Sequence, residues 1–172
     1  MRYLRPAVRS TAVAAALVLG MLATDGAQAQ TRATEATPAL STYFLGNLAS
    51  GNCLAINTPT SPGVIQAPCA STRLQGWQLY HQNGAPANVF SLMNAASGLC
   101  VNSTVSPVTE STCQPSPAQG WTVIASGANY QLQSYTNGNN LAVPSPEPGA
   151  PAVLQAPTSS PNEVWAFKPA PS

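Results

Sequence analysis

Apolar residues in this chain come in short bursts of three or four, each ended by a cluster of Gly, Pro, Asn or Ser. Residues 43–45, 53–56, 64–67 and 77–80 are such bursts, and 121–124 and 165–167 repeat the last of them. Bursts of that length between turn formers read as β-strands. No window sustains an apolar period of 3.6 residues, and 17 prolines would interrupt most helices. The bursts also recur. Trp77, Trp121 and Trp165 stand 44 residues apart and close Gln75-Gly76-Trp77, Gln119-Gly120-Trp121 and Glu163-Val164-Trp165. Upstream of each comes an aromatic, a Leu two residues on, then a Gly: Tyr43, Leu45 and Gly51; Phe90, Leu92 and Gly98; Tyr130, Leu132 and Gly138. One unit of about 40 residues is therefore written three times. Four strands per unit predict an all-β assembly of twelve strands sharing one core, because a single unit cannot bury its own apolar face. Two architectures fit this pattern: a β-trefoil with pseudo-threefold symmetry, or a propeller of three blades, fewer than is usual.

The repeats do not reach the start of the chain. Arg2, Arg5 and Arg9 make a basic head, an apolar run follows, and Ala27-Gln28-Ala29 offers small residues for cleavage. That order is expected of a secretory signal peptide over residues 1–29. Residues 30–41 are rich in Thr and Ala and read as a flexible lead-in, leaving 42–172 as one domain. The expected location is outside the cytoplasm, extracellular or periplasmic. With the signal removed, no integral membrane segment is expected.

Charge narrows the partners. Beyond residue 29 the only basic residues are Arg32, Arg73 and Lys168, against Glu35, Glu110, Glu147 and Glu163. Phosphate backbones are held by several Lys or Arg contacts, so nucleic acid is not an expected partner. A polybasic membrane patch is excluded on the same count.

Four cysteines in an exported chain read as two disulfides. Cys53 and Cys69 lie in repeat one, and Cys100 and Cys113 hold the matching places in repeat two. In repeat three the string Val153-Leu154-Gln155-Ala156-Pro157-Thr158 reads against Val64-Ile65-Gln66-Ala67-Pro68-Cys69, so both places change together, to Asn140 and Thr158. Joint loss predicts Cys53–Cys69 and Cys100–Cys113, each closing a loop of about 15 residues worth roughly 3 kcal/mol on the chain-entropy model.

The succession aromatic-x-Leu-x-Asn-x-x-Ser-Gly-x-Cys-Leu, then Cys, then Gln-x-Trp, resembles the ricin B-type β-trefoil lectins over residues 43–168. The resemblance implies a β-trefoil in which Trp77, Trp121 and Trp165 are core, while Gln75 and Gln119 hydrogen-bond backbone near the symmetry axis. It also implies up to three sugar sites. Each would use an Asp two residues after the first Cys, an aromatic before the second Cys, and an Asn before the Gln of Gln-x-Trp. A carboxylate makes charge-assisted bonds to sugar hydroxyls, and a ring covers the apolar face of a pyranose. Here the Asp places hold Ala55, Asn102 and Ala142, the ring places align with Ala67, Ser111 and Ala156, and the Asn places hold Leu74, Ala118 and Asn162. No repeat keeps more than one group of the three, so the sites are expected to be degenerate.

Asn102 and Asn162 are the surviving polar candidates. Tyr135, in an amide-rich turn, is a candidate for a displaced site. Asn102-Ser103-Thr104 is also a glycosylation sequon. His81 beside the Asn83-Gly84 turn has no Asp to orient it as a base. No catalytic residues, metal ligands or cofactor are expected. The sequence favours a secreted, non-enzymatic module binding an extracellular glycan weakly. The alternative is a protein-interaction or structural trefoil in a larger secreted assembly or toxin.

Overall fold

A computed structural model of the chain describes residues 41–170. The signal-peptide expectation, most of the lead-in and the last two residues fall outside that range. Twelve strands and three single-turn 3-10 helices run in the order of the repeats. Repeat one holds β1 (Thr42–Asn47), β2 (Cys53–Ile56), β3 (Val64–Ala67), a 3-10 turn at Arg73–Gln75 and β4 (Gly76–His81). Repeat two holds β5 (Val89–Asn94), β6 (Cys100–Val101), β7 (Glu110–Ser111), a turn at Pro117–Gln119 and β8 (Trp121–Ser126). Repeat three holds β9 (Asn129–Ser134), β10 (Asn140–Ala142), β11 (Val153–Gln155), a turn at Pro161–Glu163 and β12 (Val164–Pro169).

The first and last strands of every repeat form a closed antiparallel barrel: β1 pairs with β4, β4 with β5, β5 with β8, β8 with β9, β9 with β12 and β12 with β1. Closure removes exposed edges. The middle strands make three hairpins, β2–β3, β6–β7 and β10–β11. At their meeting point the Val64 N–H donates to the Val108 carbonyl at 3.1 Å, Val108 to Ala152 at 2.8 Å, and Ala152 back to Val64 at 2.9 Å. All three residues are fully buried. This ring marks the pseudo-threefold axis, and the architecture is a β-trefoil.

The alternation within strands places the core. Leu45, Leu92 and Leu132 point inward beside Leu54, Val101 and Leu141, and the three tryptophans fill the space between. Each indole is buried, and its polar atom is satisfied as a buried N–H must be. Nε1 of Trp77, Trp121 and Trp165 donates to the carbonyls of Leu54, Val101 and Leu141 at 2.9, 3.1 and 3.0 Å. Disulfides join Cys53 to Cys69 and Cys100 to Cys113.

Two local expectations need correction. The glutamines before the tryptophans clamp the loop carrying the second Cys of their own repeat, rather than backbone at the axis. Gln75 donates to the Pro68 carbonyl at 2.8 Å and accepts from the Ala70 N–H at 2.6 Å. Gln119 donates to Thr112 at 3.0 Å and accepts from Gln114 at 2.8 Å. The second correction concerns register. Cys53 pairs with Ala67 and Cys100 with Ser111, and their counterpart Asn140 pairs with Gln155. Thr158 gives its N–H to Glu163 as Ala70 and Gln114 give theirs to Gln75 and Gln119. Repeat three is thus read one residue too far along by the string match. Gln155 stands at the ring place instead of Ala156, and Pro157 at the second Cys place instead of Thr158. The axis ring fixes this register, since its members 64, 108 and 152 must coincide under the symmetry.

Candidate functional site

The hairpin of repeat two brings together most of what remains of a polar site. Pairing of Cys100 with Ser111 puts these residues on one face, and two residues along the ladder Asn102 and Thr109 share it. The Asn102 backbone N–H donates to the Thr109 carbonyl at 2.8 Å, and its side-chain amide donates to Thr109 Oγ1 at 3.2 Å. Ser111 Oγ donates to Asn102 Oδ1 at 2.9 Å and accepts from Gln119 Nε2 at 2.8 Å. Ser111 is exposed and Asn102 half-buried. The result is an orientated chain of hydroxyl and amide groups at the rim of the hairpin. Next to it, Ser103 gives both its N–H and its hydroxyl to the Ala118 carbonyl, at 2.7 and 3.0 Å, which seats the Pro117–Gln119 turn against the strand.

Tyr135 also adjoins this turn. It is 43% exposed, and its N–H donates to the Gly120 carbonyl at 3.0 Å. A Cβ at Gly120 would lie 3.1 Å from Tyr135 Cβ and 3.2 Å from Gln82 Oε1, so a side chain there would require its neighbours to shift by a few tenths of an ångström. Thr136 Oγ1 donates to the Pro117 carbonyl at 2.9 Å. Ser103, beside Asn102, and Thr136, beside Tyr135, thus both bond to the Pro117–Gln119 turn. Asn162 is not with them. It occupies the matching 3-10 turn of repeat three, where its backbone carbonyl accepts from Asn47 Nδ2 at 2.9 Å and from the Val143 N–H at 3.1 Å. Its Oδ1 is buried and, among the described residues, has no partner.

The other two repeats present little chemistry at these places. Ala55 and Ala142 are buried, and Leu74 packs against the core. Gln155 spends its amide on Glu163 Oε1 at 2.6 Å. His81 is exposed, with Nε2 3.2 Å from the Pro86 carbonyl and its ring edge-on to Phe90. Among the described residues, no group of three or more His, Cys, Asp or Glu side chains converges to hold a metal. No helix among them is long and apolar enough to cross a membrane.

Two carboxylates are buried and opposed in behaviour. Burial pushes the Glu163 carboxyl upward, but hydrogen bonds from Thr158, Asn140 and Gln155 outweigh it and leave its pKa below the ordinary value. Glu110 occupies the place of Gln66: Ser50 Oγ donates to Gln66 Oε1 at 2.6 Å, and Ser97 Oγ to Glu110 Oε2 at 3.0 Å. Gln66 also donates to the carbonyls of Ser145 and Glu147. A carboxylate cannot donate, and Glu110 Oε1 is buried without a partner among the described residues. Burial raises its pKa to about 7 against the pull of Ser97.

A family model described as a ricin-type beta-trefoil lectin domain-like domain matches residues 73–155. Residues 73–155 thus resemble the ricin-type lectin-like domains, on a chain whose fold is a β-trefoil. Solved structures share the fold at low identity. A designed threefold-symmetric protein, ThreeFoil, is 20% identical, covering 73% of this chain and 96% of that one with a TM-score of 0.67. The ricin B-like lectin of Macrolepiota procera, solved in complex with lactose, is 17% identical over 73% of this chain and 93% of its own, with a TM-score of 0.63. A mosquitocidal holotoxin is 16% identical with a TM-score of 0.67; the likeness covers 75% of this chain but 17% of that protein. No curated protein sequence matches the chain.

Serine and threonine partners of Asn102 were hidden in the sequence because they depend on hairpin register. The signal for Ser111 was present as a ring place without a ring. Thr109 carried no signal, being an ordinary strand residue until it is seen opposite Asn102.

Proposed function

We propose that this trefoil is a secreted, non-enzymatic carbohydrate-binding module whose remaining ordinary sugar site lies on repeat two. The observation that carries this reading is the chain Gln119–Ser111–Asn102, which holds a fixed amide oxygen at the place where the family resemblance implies a sugar-binding Asp. The charge is gone and so is the ring, and the corresponding places of repeats one and three hold Ala, Leu, an already bonded Gln and Asn162, whose Oδ1 is buried. Weak recognition of neutral sugars follows. A hydrogen bond to a charged group is worth roughly 1.5–3 kcal/mol and one to a neutral group about 0.5–1.5, so replacing Asp by Asn alone costs about one decade of affinity. Export through the signal-like residues 1–29 and the two disulfides support an extracellular or periplasmic setting. A non-enzymatic role is supported by the buried, structural engagement of Glu110 and Glu163.

Titration calorimetry of the mature chain with lactose, beside a broad glycan panel, tests the reading. Weak binding lost in Asn102→Ala is expected. Binding that survives Asn102→Ala but disappears in Tyr135→Ala would move the site to the displaced turn.

A second reading, a protein-interaction subunit of a larger assembly, is favoured by a specific feature. Leu48 and Tyr135 occupy matching turns of repeats one and three and are 50% and 43% exposed. Silence across the whole glycan panel would select it.

A further inference from the structure

A cleft of about 880 Å³ opens on the outer wall of the barrel where repeat one meets repeat two. Its floor is set by strand alternation. Tyr43, Trp77 and Asn94 stand in register, with Trp77 in the core, so the residues one step away on β1, β4 and β5 face outward. Thr42, Gln78 and Met93 form such a row, and Phe44 and Gly76 the next; all five line the cleft. A Cβ at Gly76 would come within 3.0 Å of Thr42 Cγ2 and 3.2 Å of Ala95 Cβ, so the glycine keeps the floor open. One rim is the segment 71–73 and the other the turn 95–98. Arg73 is pinned between them by the bond from its Nη2 to the Ala95 carbonyl at 2.6 Å, which among the described residues is the guanidinium's only hydrogen bond.

Charge is concentrated here. Arg73 lines the cleft, and Lys168, the other of the two Lys or Arg among the described residues, stands opposite Phe44 on β12 just outside the lining. No carboxylate lines the cleft. The nearest one bonded to a lining residue is Glu110, buried behind Ser97. A positioned guanidinium suits a carboxylate, an aromatic floor suits the apolar face of a sugar ring, and Gln78, Thr72 and Ser97 can bond hydroxyls. The volume is that of a small-ligand site.

We propose that this cleft is a second ligand site, selective for saccharides that carry a carboxylate. It goes beyond the repeat-two site and shares with it only the general class of ligand. The two are separable by mutation, because Arg73 and Phe44 belong to this cleft and Asn102 does not. The test is calorimetry of the mature chain with a uronic-acid disaccharide and with the same disaccharide after reduction of its carboxyl group. The acid form should bind at least tenfold more tightly than the reduced form. Arg73→Gln should abolish that preference, Lys168→Gln should weaken it, and Asn102→Ala should leave it intact. Arg73 is exposed, so its replacement should not unfold the chain; an unchanged denaturation midpoint confirms this. No measurable uronate binding, equal binding of the two forms, or a preference untouched by Arg73→Gln would overturn the proposal. Lactose binding sensitive to Asn102→Ala alongside silent uronates would sink this inference alone, whereas silence toward both sugars would sink both readings.

Discussion

Asn140 donates its side-chain amide to Glu163 at 2.8 Å, and this bond stands in repeat three where the other repeats have a covalent cross-link. Asn140 holds the first Cys place. Glu163 also accepts from the Thr158 N–H at 3.1 Å, from the Thr158 hydroxyl, and from Gln155 at 2.6 Å. A neutral Gln at this position, as in Gln75 and Gln119, has one acceptor oxygen. Repeat three replaces it with two oxygens and gathers four donors around them. The buried charge is tolerated because hydrogen bonds to the ionised form offset desolvation.

Glu163→Leu should therefore be destabilising by at least about 2 kcal/mol, since each buried donor left without a partner costs about 1–3 kcal/mol. Glu163→Gln should be much milder. Urea denaturation of both variants is the check. Equal, small losses would mean the network contributes little beyond packing.

The depressed pKa of Glu163 fixes a sign at low pH. Its contribution is complete above the ordinary value of 4.5 and is lost as pH falls through the lower folded value. Wild type should thus lose stability below about pH 4.5 more steeply than Glu163→Gln, as measured by denaturation midpoints across an acid series.

Glu110 acts in the opposite direction. Its folded pKa, about 7, lies above the ordinary 4.5, so the folded state holds the extra proton between these values. Stability is full below 4.5 and declines as pH rises toward and through 7, by up to about 3 kcal/mol. Glu110→Gln should remove the decline and be the more stable form at pH 8, since a neutral amide carries no charge into this buried place. Denaturation at pH 5 and pH 8 decides it. A wild type equally stable at both would show that the carboxyl is not held in its acid form.

Truncation of the central indoles should be severe. Trp77→Ala, Trp121→Ala and Trp165→Ala should each cost about 3–5 kcal/mol, the range for large aromatics in cores. A loss under about 1 kcal/mol in chemical denaturation would contradict their placement around the barrel interior.

Much of the fold is legible in the sequence because Trp77, Trp121 and Trp165 recur at an even spacing and each needs the same surroundings. The register of repeat three is not, and the reason is physical. Leu154-Gln155-Ala156-Pro157 looks like Ile65-Gln66-Ala67-Pro68, but register is set by the backbone ladder and the axis ring, which place Leu154 where Gln66 stands in repeat one. Side-chain identity then misleads by one residue, which in a strand inverts every facing. At the candidate site, Asn102 is legible as a remnant, whereas its bonds to Thr109 and Ser111 appear only once β6 and β7 are paired. Arg73 reads as an isolated charge, because the cleft beside it is made by residues far apart in the chain.

The ring through Val64, Val108 and Ala152 makes the trefoil count to three. Each member both gives and receives one bond, so a chain with one repeat deleted could not close the circle at the same spacing, and a fourth repeat would find no opening. An excised single repeat would carry one dangling donor and one dangling acceptor at its apex, together with an uncovered apolar face. Its cheapest remedy is two further copies of itself arranged in rotation. The symmetry of the intact domain is in this sense a trimer whose subunits have been tied into one thread.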